Sequence, residues 1–147
     1  QTTRAEILRL FELWATTGER SQGDVADERI ALTRALADAE SLGLAALGIA
    51  TDAGLAAANV FEILPHPGFA NGHYMKTDRR YAGIGALLVQ AVAEHLAAAG
   101  VVHMNTEQDM GLLGLRTAKR QLAPVRFLRK YLVRRHGEDQ NRVTPTP

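Results

Sequence analysis

HYMKTDRRYAGIGALLVQAVAEHLAAAGVVHMN, residues 73–105, decides the fold. It opens on a short extended run, His73–Thr77, passes through a charged loop that ends in Gly83 and Gly85, and then changes period. Leu87, Leu88, Val92 and Leu96 recur at helical spacing over residues 86–99, and Gly100 suits a helix stop. Val101–Asn105 is a second short strand. Strands on either side of a helix point to a mixed sheet with helices on both faces.

Upstream, Ile7, Leu8, Leu10, Phe11 and Trp14 predict a helix over residues 4–16, with Trp14 and Phe11 in the core or an interface. A second helix runs from Asp24 or Asp27, either of which can cap it, to about Leu42. Its apolar stripe is Ile30, Leu32, Ala35, Leu36 and Ala39, and Gly43 follows it in the chain. Residues 44–64 read as two strands joined by a turn at Thr51-Asp52-Ala53-Gly54. HPGFANG, residues 66–72, reads as a loop of turn formers. Downstream, GLLGLRTAKRQL (111–122) is a short helix stopped before Pro124, and VRFLRKYLV (125–133) alternates well enough for a last strand. The order is α-α-β-β-β-α-β-α-β: an α/β (α+β) fold, one domain over residues 1–134, and a polar flexible tail at 135–147.

At 147 residues and 46% hydrophobic composition, such a chain buries roughly two-thirds of its unfolded surface and needs no staple. It contains no cysteine, which removes disulfides, thiolate nucleophiles and Cys-based zinc sites and is compatible with the cytoplasm. No apolar run reaches the ~20 residues of a membrane span. Charges interrupt the apolar residues of the first helix, so it does not read as a signal peptide. Net charge is +1, but nine Lys and Arg lie from Arg116 onward against two acids, Glu138 and Asp139. A basic segment of this kind attracts phosphates or anionic surfaces, or is simply a solvated face.

Two stretches carry chemistry. In the first, Arg80-x-x-Gly83-x-Gly85 comes after a strand and opens a helix. Glycines there allow a ligand close to backbone, the N–H groups of a helix start favour phosphate, and Arg79 and Arg80 add charge. The bland reading is a turn that needs glycine for packing. The pattern resembles the pyrophosphate-binding loop of the Gcn5-related acetyltransferases, Arg/Gln-x-x-Gly-x-Gly/Ala. That resemblance implies the acetyltransferase-like fold, in which the strands before and after the helix splay apart and admit the acyl-donor arm.

In the second, residues 101–131, a strand runs into Asn105-Thr106-Glu107-Gln108-Asp109 and then a basic helix. Glu107 or Asp109 could hold or deprotonate an acceptor amine, and Asn105 and Gln108 could orient it. Equally, Asp109 is placed to cap the helix. Arg116 and Lys119 are three apart on one helix and could bind phosphate, face a developing negative charge, or pair with the same acids. Lys76 could face an acyl cleft or lie on the surface. The five histidines show no ligand spacing, so no metal site is expected, although His73 and His103 could meet across adjacent strands. No serine sits in a nucleophile elbow.

The set His73, Lys76, Asp78, Asn105, Glu107, Gln108, Asp109, Gly111, Gly114, Leu115, Arg116, Lys119, Pro124, Lys130 and Tyr131 is similar to the pattern of the phosphatidylglycerol lysyltransferase C-terminal domain, seen also in stand-alone proteins of the DUF2156 type. The resemblance implies transfer of an aminoacyl group from aminoacyl-tRNA to a lipid head group or small amine, with Lys119 in the active-site set. It also implies a second domain of the same fold, or a second copy, as partner. Acyl-CoA as donor is the enzymatic alternative. A half-domain that binds a partner without catalysis is the other.

Overall fold

Thr3 opens the first helix with a capping box: its hydroxyl accepts the Glu6 N–H, and the Glu6 carboxylate accepts the Thr3 N–H at 2.8 Å. The computed structural model describes residues 3–17, 22–129, 131 and 133. They form α1 (Arg4–Ala15), α2 (Gln22–Ala37), β1 (Leu44–Thr51), β2 (Gly54–Ile63), β3 (Phe69–Thr77), α3 (Ile84–Ala98), β4 (His103–Asn105) and α4 (Leu113–Gln121). They cluster into two compact units, one ending at Glu107 and one starting at Gln108.

The first unit is a mixed four-stranded sheet in the order β1-β2-β3-β4, with helices on both faces, as expected. β1, β2 and β3 pair antiparallel, and β4 runs parallel to β3. On one face, Ile7, Leu10, Phe11 and Trp14 of α1 and Leu32 and Leu36 of α2 close over Ala58 and Val60. On the other, Ile84, Leu88, Val92 and Leu96 of α3 close over Ala57, Phe61 and Ala70. Each helix commits one stripe, so two apolar neighbours fall outside: Ile30 and Leu87 are exposed.

Three expectations are corrected. α3 starts at Ile84, not 86, because Gly83 takes the left-handed N-cap conformation (φ 79°) and Ile84 is buried beneath it. The turn formers at 69–72 are not a loop: Phe69–Gly72 belong to β3, where Ala70 and Asn71 pair with Ile63 and Glu62. Pairing overrides local preference here. No strand forms among the described residues of 125–133, where Val125, Phe127, Leu128, Tyr131 and Val133 are exposed. An alternating sequence makes a strand only when a neighbour supplies the ladder. Lys130, Leu132 and the tail expected at 135–147 lie outside the described residues.

β3 and β4 pair only over Phe69–Asn71 and His103–Asn105. β3 continues to Thr77, so from Gly72 onward its β4-side edge has no ladder partner among the described strands. The ladder stops because β4 ends at Asn105, opposite Asn71, and polar side chains of both strands gather there.

Candidate active site

The loop between β3 and α3 is fastened at its start. The Asp78 N–H donates to the Ala56 carbonyl at 2.8 Å, and the Asp78 side chain is buried. Arg80 folds back onto it: Nε lies 3.0 Å from each carboxylate oxygen, a second guanidinium nitrogen 2.6 Å from Oδ2, and the Arg80 N–H donates to Oδ1 at 3.0 Å. These bonds hold the Asp78 carboxyl below its ordinary pKa and raise that of Arg80. The Tyr81 hydroxyl sits 3.3 Å from Thr51 Oγ1, which ties the loop to the β1–β2 turn. Gly83 then opens α3 without a side-chain cap, and nothing lies within 4 Å of where a Cβ would be. Arg79 is exposed. The loop therefore combines an uncapped helix start, a bare glycine and two arginines, one of them fixed.

Lys76 is not a surface lysine. It is buried on the α1–α2 face, its ammonium 2.6 Å from Glu28 Oε1 and 3.9 Å from the centre of the Trp14 ring. It clasps α2 and α1 to β3.

The polar cluster of the first unit lies where the β3–β4 ladder ends. Between Val60↔Tyr74 and Phe61↔Gly72 the register slips, leaving His73 as an extra residue in β3. A bulge of this kind re-aims a side chain. His73 Nε2 lies 3.3 Å from Glu62 Oε1 and Nδ1 3.1 Å from Glu107 Oε1. Asn71 donates to the same Glu62 oxygen at 3.0 Å, and Asn105 donates to Asn71 Oδ1 at 3.2 Å. The Glu107 N–H donates to Asn105 Oδ1 at 3.0 Å, and Glu107 holds a left-handed backbone, φ 58°. The sequence-based site contains Asn105 and Glu107 but not Glu62 or Asn71, and gives His73 no role. The bulge that joins them leaves no mark on periodicity. His103 does not meet His73; it pairs in register with Phe69 and packs on that ring. Burial first, then the charges of Glu28 and Glu107, push the Tyr74 phenol up.

The second unit holds its own network. Arg116 Nε donates to Asp109 Oδ2 at 2.5 Å, and the Gly111 N–H donates to Asp109 Oδ1 at 3.0 Å. The Asp109 carboxyl is lowered to about 2, chiefly by the Arg116 hydrogen bond and then by Gly111. That suits it to hold the guanidinium rather than to take a proton at neutral pH. Asp109 closes a turn two residues on and is not the α4 N-cap, which is Leu112. Lys119 Nζ donates to the Gln108 carbonyl at 2.9 Å, while the Gln108 side chain reaches Met110 Sδ at 3.0 Å.

Among the described residues, no set of three His, Asp or Glu is arranged to hold a metal ion, and no helix is long and apolar enough to cross a membrane.

The fold is shared with solved acetyltransferases. A ribosomal-protein-alanine N-acetyltransferase from Brucella melitensis biovar Abortus aligns over 89% of this chain and 92% of its own, at 18% identity and a TM-score of 0.63. A PaiA N-acetyltransferase from Thermoplasma acidophilum, solved in complex with coenzyme A, aligns over 82% and 84%, at 14% identity and a TM-score of 0.58. A conserved protein of unknown function from Bacteroides thetaiotaomicron is more similar: 27% identity and a TM-score of 0.74 over 84% of this chain. The chain spans only 41% of that protein's length. No curated protein matches the chain. The family profile of the phosphatidylglycerol lysyltransferase C-terminal domain matches residues 1–134. With an uncapped glycine loop before α3 and a match across nine-tenths of its length, the chain belongs to the phosphatidylglycerol lysyltransferase C-terminal family, an acyltransferase family on the acetyltransferase fold.

Proposed function

We propose that this domain moves an aminoacyl group from aminoacyl-tRNA to an amine or hydroxyl acceptor, a lipid head group or a small molecule. The observation that carries the reading is the family match over residues 1–134, which also supports treating them as one domain. An aminoacyl ester is already activated, so the protein has to bind it, orient the acceptor, take a proton and stabilise an oxyanion. On this reading, Arg79, Arg80, Gly83 and Gly85 meet the donor's phosphates, and the unpaired edge of β3 takes the acyl arm. Glu107 and Asn105 serve the acceptor. Arg116 and Lys119, with Gln108 and Asp109 as their anchors, bind the tRNA terminus. Lys76 is left to packing, since its ammonium is buried against Trp14. A tRNA donor entails a cytoplasmic setting.

Filter binding to charged tRNA tests this reading. Affinity should fall steeply as salt rises, with a log–log slope that grows with the number of phosphates contacted. No binding at low salt would remove tRNA as donor.

One observation favours acyl-CoA instead: Gly83 opens α3 without a side-chain cap and with nothing within 4 Å of where a Cβ would be, a helix start that suits a pyrophosphate. On that alternative, CoA alone raises the melting temperature of the chain, by an amount set by its concentration relative to Kd.

A further inference from the structure

We infer that Asn59 reads the group being transferred: its side-chain oxygen and the Asn105 carbonyl line a small seat at Gly72 that takes the α-ammonium of an aminoacyl ester. This rests on the aminoacyl-transfer reading above and adds to it a specificity-determining residue on the donor side.

Asn59 lies in the middle of β2. Strand alternation puts it on the α3 face, between Ala57 and Phe61 of that core. It is 6% exposed, and its Oδ1 is buried without a hydrogen-bond partner among the described residues. Buried polar groups are nearly always paired, and an unpaired one costs stability. An apolar side chain would escape that cost between these neighbours, so the amide points to a guest that completes it.

The room for that guest is at Gly72. The three heavy atoms nearest the position of its absent Cβ are Met104 Cε, Asn59 Oδ1 at 3.7 Å and the Asn105 carbonyl oxygen at 3.8 Å. The two oxygens only accept hydrogen bonds. The methyl is the free end of a flexible thioether on a half-buried residue, and it can turn outward. A group that replaces it must be small and must donate. An α-ammonium offers three donors and is carried by every aminoacyl ester, whereas an acetyl group has nothing to donate there. The seat also lies on the donor's route. The first turn of α3 passes over Met75 and Thr77, each 3.9 Å from the Cβ position of Gly85, and Met75 pairs with Asn59 across the ladder. A donor held by its phosphates at Gly83 and Gly85 therefore runs its acyl end along this part of β3.

The test uses the whole chain, labelled with nitrogen-15, and two stable mimics of a charged tRNA terminus. One is 3′-glycylamino-3′-deoxyadenosine. The other, 3′-acetylamino-3′-deoxyadenosine, differs from it only in lacking the ammonium. The glycyl compound should shift the Asn59 side-chain amide resonance saturably and bind at least about tenfold more tightly, since a site built around a hydrogen bond rejects the analogue that cannot make it. Asn59→Leu, which also assigns the resonance, and Gly72→Ala, which fills the seat with a methyl, should each bring the two affinities together. Equal affinities in the wild type overturn the inference, as does tighter binding of the acetyl compound. So does a glycyl preference that survives in either folded variant, or a bound glycyl compound that leaves the Asn59 amide unmoved. If charged tRNA still binds in those cases, the aminoacyl-transfer reading stands without this seat. A glycyl preference lost in both variants, in a chain that binds no charged tRNA, keeps the seat and removes tRNA as donor.

Discussion

Asp109 is held at about 2 by one guanidinium and one backbone N–H. Removing the guanidinium with Arg116→Ala should move the Asp109 titration up toward its ordinary 3.8, as read by carboxyl NMR. A carboxyl depressed by folding contributes stability that is present above its unfolded pKa and disappears as pH falls through about 2. Gly72 is a second single-residue constraint. A Cβ there would overlap Met104 Cε, with the Asn105 carbonyl 3.8 Å away. Met104 Cε is the free end of a flexible side chain that can turn aside, so Gly72→Ala should cost less than about 1 kcal/mol in urea unfolding. Some of this site was legible from residue types alone. Arg80, Gly83, Glu107, Asp109, Arg116 and Lys119 all stand out by charge or spacing, and the expected pairing of Arg116 with an acid is present. Glu62 and Asn71 did not stand out, because their partners are 11 and 34 positions away and meet them only through sheet register.

Elements were more legible than their edges. Both faces of the sheet could be read from helical stripes, since Leu32, Leu36, Leu88, Val92 and Leu96 recur at the right period and are all buried. The first four residues of β3 could not, because Asn71 and Gly72 are turn formers that extended pairing captures. Nor could the burial of Lys76: a lysine in an edge-like strand reads as solvated, and only the arrival of Trp14 and Glu28 from two helices makes it internal. The clasp predicts an asymmetry. Lys76→Ala should destabilise the domain by about 2 kcal/mol, chiefly because it empties the space beside Trp14, with the partly exposed Glu28 losing its partner. Lys76→Met together with Glu28→Gln should cost far less, as an apolar chain of similar volume fills the same space. Chemical denaturation of the two variants side by side separates these outcomes.

At the scale of the molecule, charge is divided as it was in the sequence. Glu62, Glu107 and Glu28 lie in the first unit, and the helix carrying Arg116, Lys119 and Arg120 lies in the second. The salt dependence of tRNA binding should therefore draw on the second unit's cations as well as on Arg79 and Arg80 of the first. Lys119→Ala combined with Arg120→Ala should lower the salt slope by about two charges' worth. The placement of Trp14 has a practical consequence. It is the chain's single tryptophan, packed 5.4 Å from Phe11 beneath a buried ammonium, and it belongs wholly to the first unit. Its fluorescence is thus a built-in reporter for that unit alone, whereas helical circular dichroism sums over both. If the two signals melt together, the units unfold as one cooperative body; if the dichroism moves first, α4 is lost while the sheet and its His73 cluster persist.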